Sequence, residues 1–322
     1  MITAYVRRQN ALVPVPLGDE ASLPDEVLWI DLFEPTVAEE KAVESMLSVS
    51  VPTREEMQEI EISSRLYQEH GASYMTATVL SRTETETPQS RPVTFILAGH
   101  RLVTLRYTDP MPFRAYAAQV QRPGAPCASG EDILAGLLDA IVDRIADILE
   151  RTQHEMDELS AHIFGEQQRL REVDLEEVLR KIGLAQGLTT RARESLVSIG
   201  RLPSFLARPA DGKPEHPPTR AFDTVARDVT SLSDHATFLS NKISFMLDAT
   251  LGMINIKQTG IIKIFSVAAV VFLPPTLIAS IYGMNFAHMP ELSWPWGYPV
   301  AVGLMVVSAI VPYLYFKLRG WL

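Results

Sequence analysis

Two charge-free runs near the end of the chain, Ile264–Tyr282 and Tyr298–Phe316, constrain the fold more than any other feature of the sequence. Each is nineteen residues long. As helix, each rises about 28 Å, the thickness of a bilayer's hydrocarbon layer. The flanks also behave like membrane flanks. Lys257 and Lys263 precede the first run, Lys317 and Arg319 follow the second, and the connection Gly283–Gly297 holds neither Lys nor Arg. By the positive-inside rule both ends face the cytoplasm and the short loop faces out. Tyr282, Trp294, Trp296 and Tyr298 gather at the outer edge, and Tyr313, Tyr315 and Trp321 at the inner one, as aromatic belts do.

The rest of the chain is of ordinary globular composition. Hydrophobic residues make up 47% and charged residues 21%, with nearly all the charge before residue 260. A net charge of −10 argues against nucleic acid, which needs a basic face to displace counterions. The single cysteine, Cys127, excludes an intrachain disulfide framework and a Cys-rich zinc site. The first residues, MITAYVRRQNALVPVP, lack the unbroken apolar core of a signal peptide, so the first three-quarters of the chain are expected to stay in the cytoplasm.

Residues 1–120 read as a mixed α/β domain. Apolar, β-branched runs predict strands at Val27–Phe33, Tyr74–Leu80, Val93–Leu97 and Leu102–Tyr107, with Ala98–Arg101 as a hairpin turn. Helices are predicted at Val37–Leu47 and Thr53–Ile60, the second opened by a box-like Thr53-Arg-Glu-Glu56. Residues 121–218 form a helical region. Ile133, Leu134, Leu137, Leu138, Ile141, Ile145, Ile148 and Leu149 repeat at amphipathic spacing, and a polar patch at Gly165–Glu172 reads as a turn between antiparallel helices. Pro203–Pro218, with five prolines, reads as a loop. From about Thr219 the helical pattern resumes and meets no proline until Pro274. Continued to Tyr282, that helix is about 96 Å long. One compact domain cannot bury it, so residues 219–263 are expected to form a stalk leading into the first span.

The Ser and Thr residues from Thr259 to Ser280 share one helical face. Alternating steps of three and four give Thr259, Ile262, Ser266, Ala269, Leu273, Thr276, Ser280 and Gly283; backwards they give Asn255, Gly252, Asp248, Phe245 and Asn241. Hydroxyls on such a face either bond back to their own helix, glue it to a neighbour, or line water. The extension of the face from stalk into membrane favours a wet axis. Two helices cannot enclose a pore, so several subunits must. On this reading Ile262, Phe265 (one position off the face) and Leu273 are hydrophobic constrictions and Asp248 concentrates cations at the inner mouth. Pro274 and Pro275 should bend the helix in mid-span.

The first span ends in Tyr282-Gly-Met-Asn-Phe286, followed by Met289-Pro-Glu-Leu292. This closely resembles the CorA family of Mg²⁺ transporters, whose Gly-Met-Asn signature stands between two C-terminal spans. The likeness continues through Trp294-Pro-Trp-Gly-Tyr-Pro299, the tail Pro312-Tyr-Leu-Tyr-Phe-Lys317, Ile261-Ile-Lys-Ile-Phe-Ser266 and Phe272-Leu-Pro-Pro-Thr276. In the N-terminal domain it includes Trp29-Ile-Asp-Leu-Phe-Glu-Pro-Thr36 and Val51-Pro-Thr-Arg-Glu-Glu-Met57. The resemblance implies a homopentamer in the inner membrane of a bacterial cell, with a funnel-shaped α+β cytoplasmic domain. The long helix of each subunit would line the pore, with residues 298–316 packed outside and 317–322 as a cytoplasmic basic tail. Gly283, Met284 and Asn285, in the external loop 283–297, would form the selectivity filter. Mg²⁺ held between cytoplasmic domains would keep the pore closed, with Asp223 or Asp228 supplying a ligand. Members related to the best-known enterobacterial protein carry Asn where this chain has Thr259.

These residues suit the ion. Mg²⁺ sheds water reluctantly and prefers octahedral oxygen ligands, so a ring of Asn285 amide oxygens can bind it through its waters. Glu291, the one acidic residue of the outer loop, would attract cations there. No Gly-x₄-Gly-Lys-Ser/Thr loop points to nucleotide use, so the membrane potential is the expected drive. Co²⁺ and Ni²⁺ are expected secondary substrates. Zn²⁺ transport is the nearest rival, disfavoured by the absence of clustered Cys or His, with His288 near the mouth the one residue in its favour. A membrane-anchored ion sensor predicts no continuous polar face. An enzyme is not expected, since residues 1–200 hold no nucleophile–base motif.

Overall fold

The strand Val27–Phe33 (β3) is buried at every position but its last, because it sits inside a sheet covered on both faces. The computed structural model describes residues 1–8, 11–16, 24–85, 87–124, 127–164, 174–207, 220–285 and 289–320. Within them β3 is joined by β1 (Ile2–Arg8), β2 (Ala11–Pro16), β4 (Leu66–Glu69), β5 (Ala72–Ser81), β6 (Gln89–Ala98) and β7 (Arg101–Arg106). The sheet order is β2-β1-β3-β7-β6-β5-β4, antiparallel except for the β3–β7 pair. It is the mixed sheet with flanking helices that the sequence predicts.

Alternation along β3 divides the core. Ile30 and Leu32 pack with Ala4, Tyr74, Ile96 and Leu105 beneath Val43 of α1 (Val37–Leu47) and Met57. Trp29 faces the other way, its ring 6.1 Å from that of Tyr116 in α3 (Met111–Val120), while Phe95 lies 6.3 Å from Phe113. The parallel register sets Asp31 beside Thr104 and Phe33 beside Arg106. Trp29 Nε1 donates to Thr104 Oγ1 (3.0 Å), which donates to Asp31 Oδ1 (2.7 Å). Arg106 Nη2 closes the network on Asp31 Oδ2 at 2.9 Å. Both charges are buried and paired, the condition under which buried charge is tolerated.

The predicted hairpin forms at Gly99–His100, with Gly99 at φ +59°. Thr53–Ile60 is a correction. Thr53 and Glu56 do exchange the box hydrogen bonds, but only a 3₁₀ turn, Glu56–Gln58, follows. Only Met57 of that turn is buried and Ile60 is 90% exposed, so no apolar face rewards a longer helix. Strands β1, β2 and β4 and helices α2 (Ile62–Arg65) and α3 were not anticipated. Pro14 and Pro16 disguise β2, and it lies at the sheet edge, where proline is tolerated. Pro203, read as the start of a loop, lies in the first turn of α6 (Arg201–Leu206), where its missing N–H costs nothing.

Helices α4 (Gly130–Phe164) and α5 (Leu175–Ile199) are the expected amphipathic pair; the turn at Gly165–Glu172 and most of the Pro203–Pro218 loop lie outside the described residues. Then come α7 (Arg220–Tyr282), continuous through Pro274 and Pro275, a 3₁₀ turn at Pro290–Ser293, and α8 (Gly297–Leu318). The chain divides into two compact units, Met1–Leu247 and Asp248–Leu322.

Candidate functional site

The N-terminal part of α7 is held in the first unit by an apolar seam of three- and four-residue steps, completed between Val229 and Ala236 by the half-buried Leu232. Phe222, Val225, Val229, Ala236, Leu239, Ile243 and Met246 are all buried. Gln186 Nε2 of α5 donates to Ser240 Oγ at 3.0 Å, and Lys242 pairs with Asp157 of α4.

In the second unit the pattern of burial reverses. Of its apolar side chains only Val267 and Ala301 are buried among the described residues. Both α7 and α8 contain eighteen-residue apolar windows long enough to cross a membrane, and only 6% of each window is buried. Large apolar side chains point outward all round these helices, as lipid or neighbouring helices require.

The polar face is open. Asp248, Asn255, Thr259, Ile262, Phe265, Ser266, Ala269, Leu273, Thr276 and Ser280 are all exposed, and so are Gly283, Met284 and Asn285. Its hydroxyls have a definite polarity. Thr259 Oγ1 donates to the Asn255 carbonyl at 2.8 Å, and Thr276 Oγ1 to that of Phe272 at 2.7 Å. Each hydrogen is thus engaged in the helix, and the outward lone pairs can only accept. The waters around a divalent cation present hydrogens outward and need such acceptors. Back-bonding and lining water, alternatives in the sequence, are here two properties of one oxygen.

At the helix end the Gly283 N–H donates to the Ala279 carbonyl (2.9 Å) and the Met284 N–H to that of Ile281 (3.3 Å). A Cβ on Gly283 would stand 3.0 Å from the Ala279 oxygen, so a side chain there would crowd the last turn. This tight ending carries Met284 and Asn285 out of the helix with both side chains exposed. Glu291 falls in the 3₁₀ turn, and its side chain lies outside the described residues, as do Phe286, His288 and Trp321.

Of the two proposed regulatory carboxylates, Asp228 has company. It raises the pKa of Asp139 and Asp143 on α4, where burial is the larger cause; Asp143 also acts on Asp139, and Asp147 on Asp143. Asp139 and Asp143 line a cleft of about 390 Å³ with Tyr116, Asp132, Ala221 and Thr224. Asp223, five residues before Asp228, is exposed and points about 140° away around the helix. The sequence reading missed Asp139 and Asp143. Their signal is the spacing of Asp139, Asp143 and Asp147, which stacks three like charges on one face of α4. Among the described residues no three His, Cys, Asp or Glu side chains form a set able to hold a metal ion.

Comparison with known proteins accords with this geometry. A family profile described as CorA-like Mg²⁺ transporter protein matches residues 24–318. The chain is 34% identical to the magnesium transport protein CorA of Yersinia pseudotuberculosis over 330 aligned residues, covering 100% of both. It is likewise 34% identical to the magnesium transport protein CorA of Escherichia coli strain K12 over 325, again covering 100% of both. The complete structure of the CorA magnesium transporter from Methanocaldococcus jannaschii shares the fold, with a TM-score of 0.76 at 22% identity over 100% of this chain and 99% of that one. Because these matches run from the sheet through both apolar helices, the chain belongs to the CorA-like Mg²⁺ transporter protein family.

Proposed function

We propose that this chain is one subunit of a homopentameric, funnel-shaped channel that admits Mg²⁺, and secondarily Co²⁺ and Ni²⁺, across a bacterial inner membrane. The observation that carries the reading is the face from Asp248 to Asn285, open along its length in a single chain and lined by oxygens whose hydrogens are engaged in the helix. An Asn285 ring, with Gly283 and Met284 shaping the turn beneath it, binds the hydrated ion through its waters. Neutral oxygens avoid both the cost of stripping Mg²⁺ and the trap of a carboxylate cage. Glu291 gathers cations outside and Asp248 does so at the inner mouth, with both chain ends in the cytoplasm. A potential of 100 mV, inside negative, supplies about 4.6 kcal/mol for a divalent ion, twice the single-charge value.

Closure follows from Mg²⁺ on the cytoplasmic domains. Asp139, Asp143 and Asp228 repel one another when ionised, so a cation held near them by a neighbouring subunit's carboxylates relieves that repulsion.

The test is reconstitution in liposomes holding a Mg²⁺-sensitive dye, under an inside-negative potential and low inner Mg²⁺. Wild type should fill the vesicles, and Asn285→Ala should abolish entry while assembling normally. Absence of Mg²⁺ flux in the wild type under these conditions would overturn the proposal, and Zn²⁺ flux in its place would favour the zinc reading.

A further inference from the structure

Helix α7 carries two seams, not one. The first, through Phe222, Val225, Val229, Ala236, Leu239, Ile243 and Met246, is buried in its own chain. The second runs two residues later, about 160° around the helix, in alternating steps of three and four: Phe238, Asn241, Phe245, Asp248, Gly252, Asn255, Thr259 and onward to Gly283. Every one of these residues from Phe238 to Thr259 is exposed. Phe238 and Phe245, one heptad apart, are 60% and 67% exposed.

Their own chain does not cover these two rings, and a lipid bilayer is a poor candidate. Phe245 precedes Ile264 by nineteen residues, about 28 Å along the helix. Phe238 and Phe245 hold the same heptad position, and their face runs without a break into the open polar face assigned above to the pore, so the groups that cover them are those of neighbouring copies about the same axis. The polar members Asn241, between the rings, and Asp248, just beyond them, are foreign to a closed zipper and suit an axis that stays wet between apolar layers.

We propose that Phe245, seconded by Phe238, forms a phenylalanine collar with the same residues of neighbouring copies, on the cytoplasmic side of the Asp248 ring. This rests on the pore reading above and adds a barrier to it. In a closed ring equal positions share one layer, so the phenyl groups converge on the axis next to the carboxylates that concentrate cations. When the ring narrows, the collar sheds water and stops a hydrated ion that Asp248 has drawn in.

Two measurements on the full-length protein in liposomes test it. Phe245→Cys, treated with copper phenanthroline, should cross-link into dimers, as should Leu273→Cys, whereas wild type, with only the buried Cys127, should not. Phe245→Ala should raise Mg²⁺ leak at high inner Mg²⁺ by about threefold or more, and Phe245→Leu should restore the barrier. Cross-linking through Leu273→Cys but not Phe245→Cys would overturn the collar and leave the pore reading standing. Failure of both would remove the pore reading and the collar with it. Cross-linked Phe245→Cys with an unchanged leak in Phe245→Ala would overturn the collar as a barrier.

Discussion

The two units spend their apolar residues in opposite ways. In Met1–Leu247 most large apolar side chains go inward, Ile60, Phe238 and Phe245 being exceptions, and Trp29, Tyr74, Phe95 and Phe113 are almost wholly buried. In Asp248–Leu322 comparable side chains remain open: Phe265, Phe272 and Leu273 are between 65% and 71% exposed. Water alone cannot be the surroundings of the second unit, because an exposed apolar surface of that extent marks a lipid or protein contact. The first unit carries its solvent-excluding core within one chain. The second leaves that role to its surroundings.

The contrast can be broken by substitution. The largest effect is expected at Asp31. Asp31→Ala leaves the buried Arg106 guanidinium with only the half-exposed Asp109 and the Thr108 carbonyl on its other side, and should cost up to about 3–5 kcal/mol, read from chemical denaturation followed by circular dichroism. A loss under about 1 kcal/mol would mean that water reaches Arg106 and that the first unit is less dry than its burial indicates.

One helix provides the next test. Leu239→Ala, in the buried seam of α7, should cost about 2–5 kcal/mol. Leu273→Ala, on the open face of the same helix, should change stability in detergent by no more than about 0.5 kcal/mol while altering flux. Equal costs would show that the open face is packed in the assembled protein.

Thr259 sharpens the account of that face. Thr259→Val keeps the shape and removes the accepting oxygen, so Mg²⁺ flux into liposomes should fall severalfold, whereas Thr259→Ser should retain it. Equal flux in both variants would reduce Thr259 to a packing residue.

The smallest effect concerns pH. Burial and the neighbouring aspartates raise the pKa of Asp139 and Asp143 in the folded state, so their ionised forms oppose folding. Their contribution to stability therefore falls as pH rises from the ordinary carboxylate value through the raised one, and returns on acidification. Asp143→Asn should raise Tm at neutral pH by about 1–2 °C and flatten its dependence on pH across that window, measured by calorimetry. A lower Tm in this variant would mean that the carboxylate makes a stabilising contact.

Legibility from sequence followed the physics of each element. The two apolar helices were readable because nineteen uncharged residues in helical register have few alternatives: Tyr282 is the last residue of α7, and Tyr298 and Phe316 fall within two residues of the ends of α8. The strands β3, β5, β6 and β7 were readable from β-branched runs, and the Gly99 hairpin from its turn chemistry. The β1–β2 hairpin was not, because edge strands tolerate prolines that argue against a strand. The helix expected at Thr53–Ile60 failed for the opposite reason: its local cap is real, but nothing beyond it can be buried.

The open polar face belonged to the sequence, since periodicity alone aligns Asp248 with Thr276. So did the placement of Gly283, Met284 and Asn285 at the end of the first span. Tertiary structure decided what periodicity cannot: that Asp31, Thr104 and Arg106, some seventy residues apart in the chain, close one buried network. It also decided that Asp228 of α7 acts on Asp139 and Asp143 of α4. Spacing within a helix follows from its rise and turn and is written locally. Which helix meets which is set by the packing of the core, to which residues from the whole chain contribute at once.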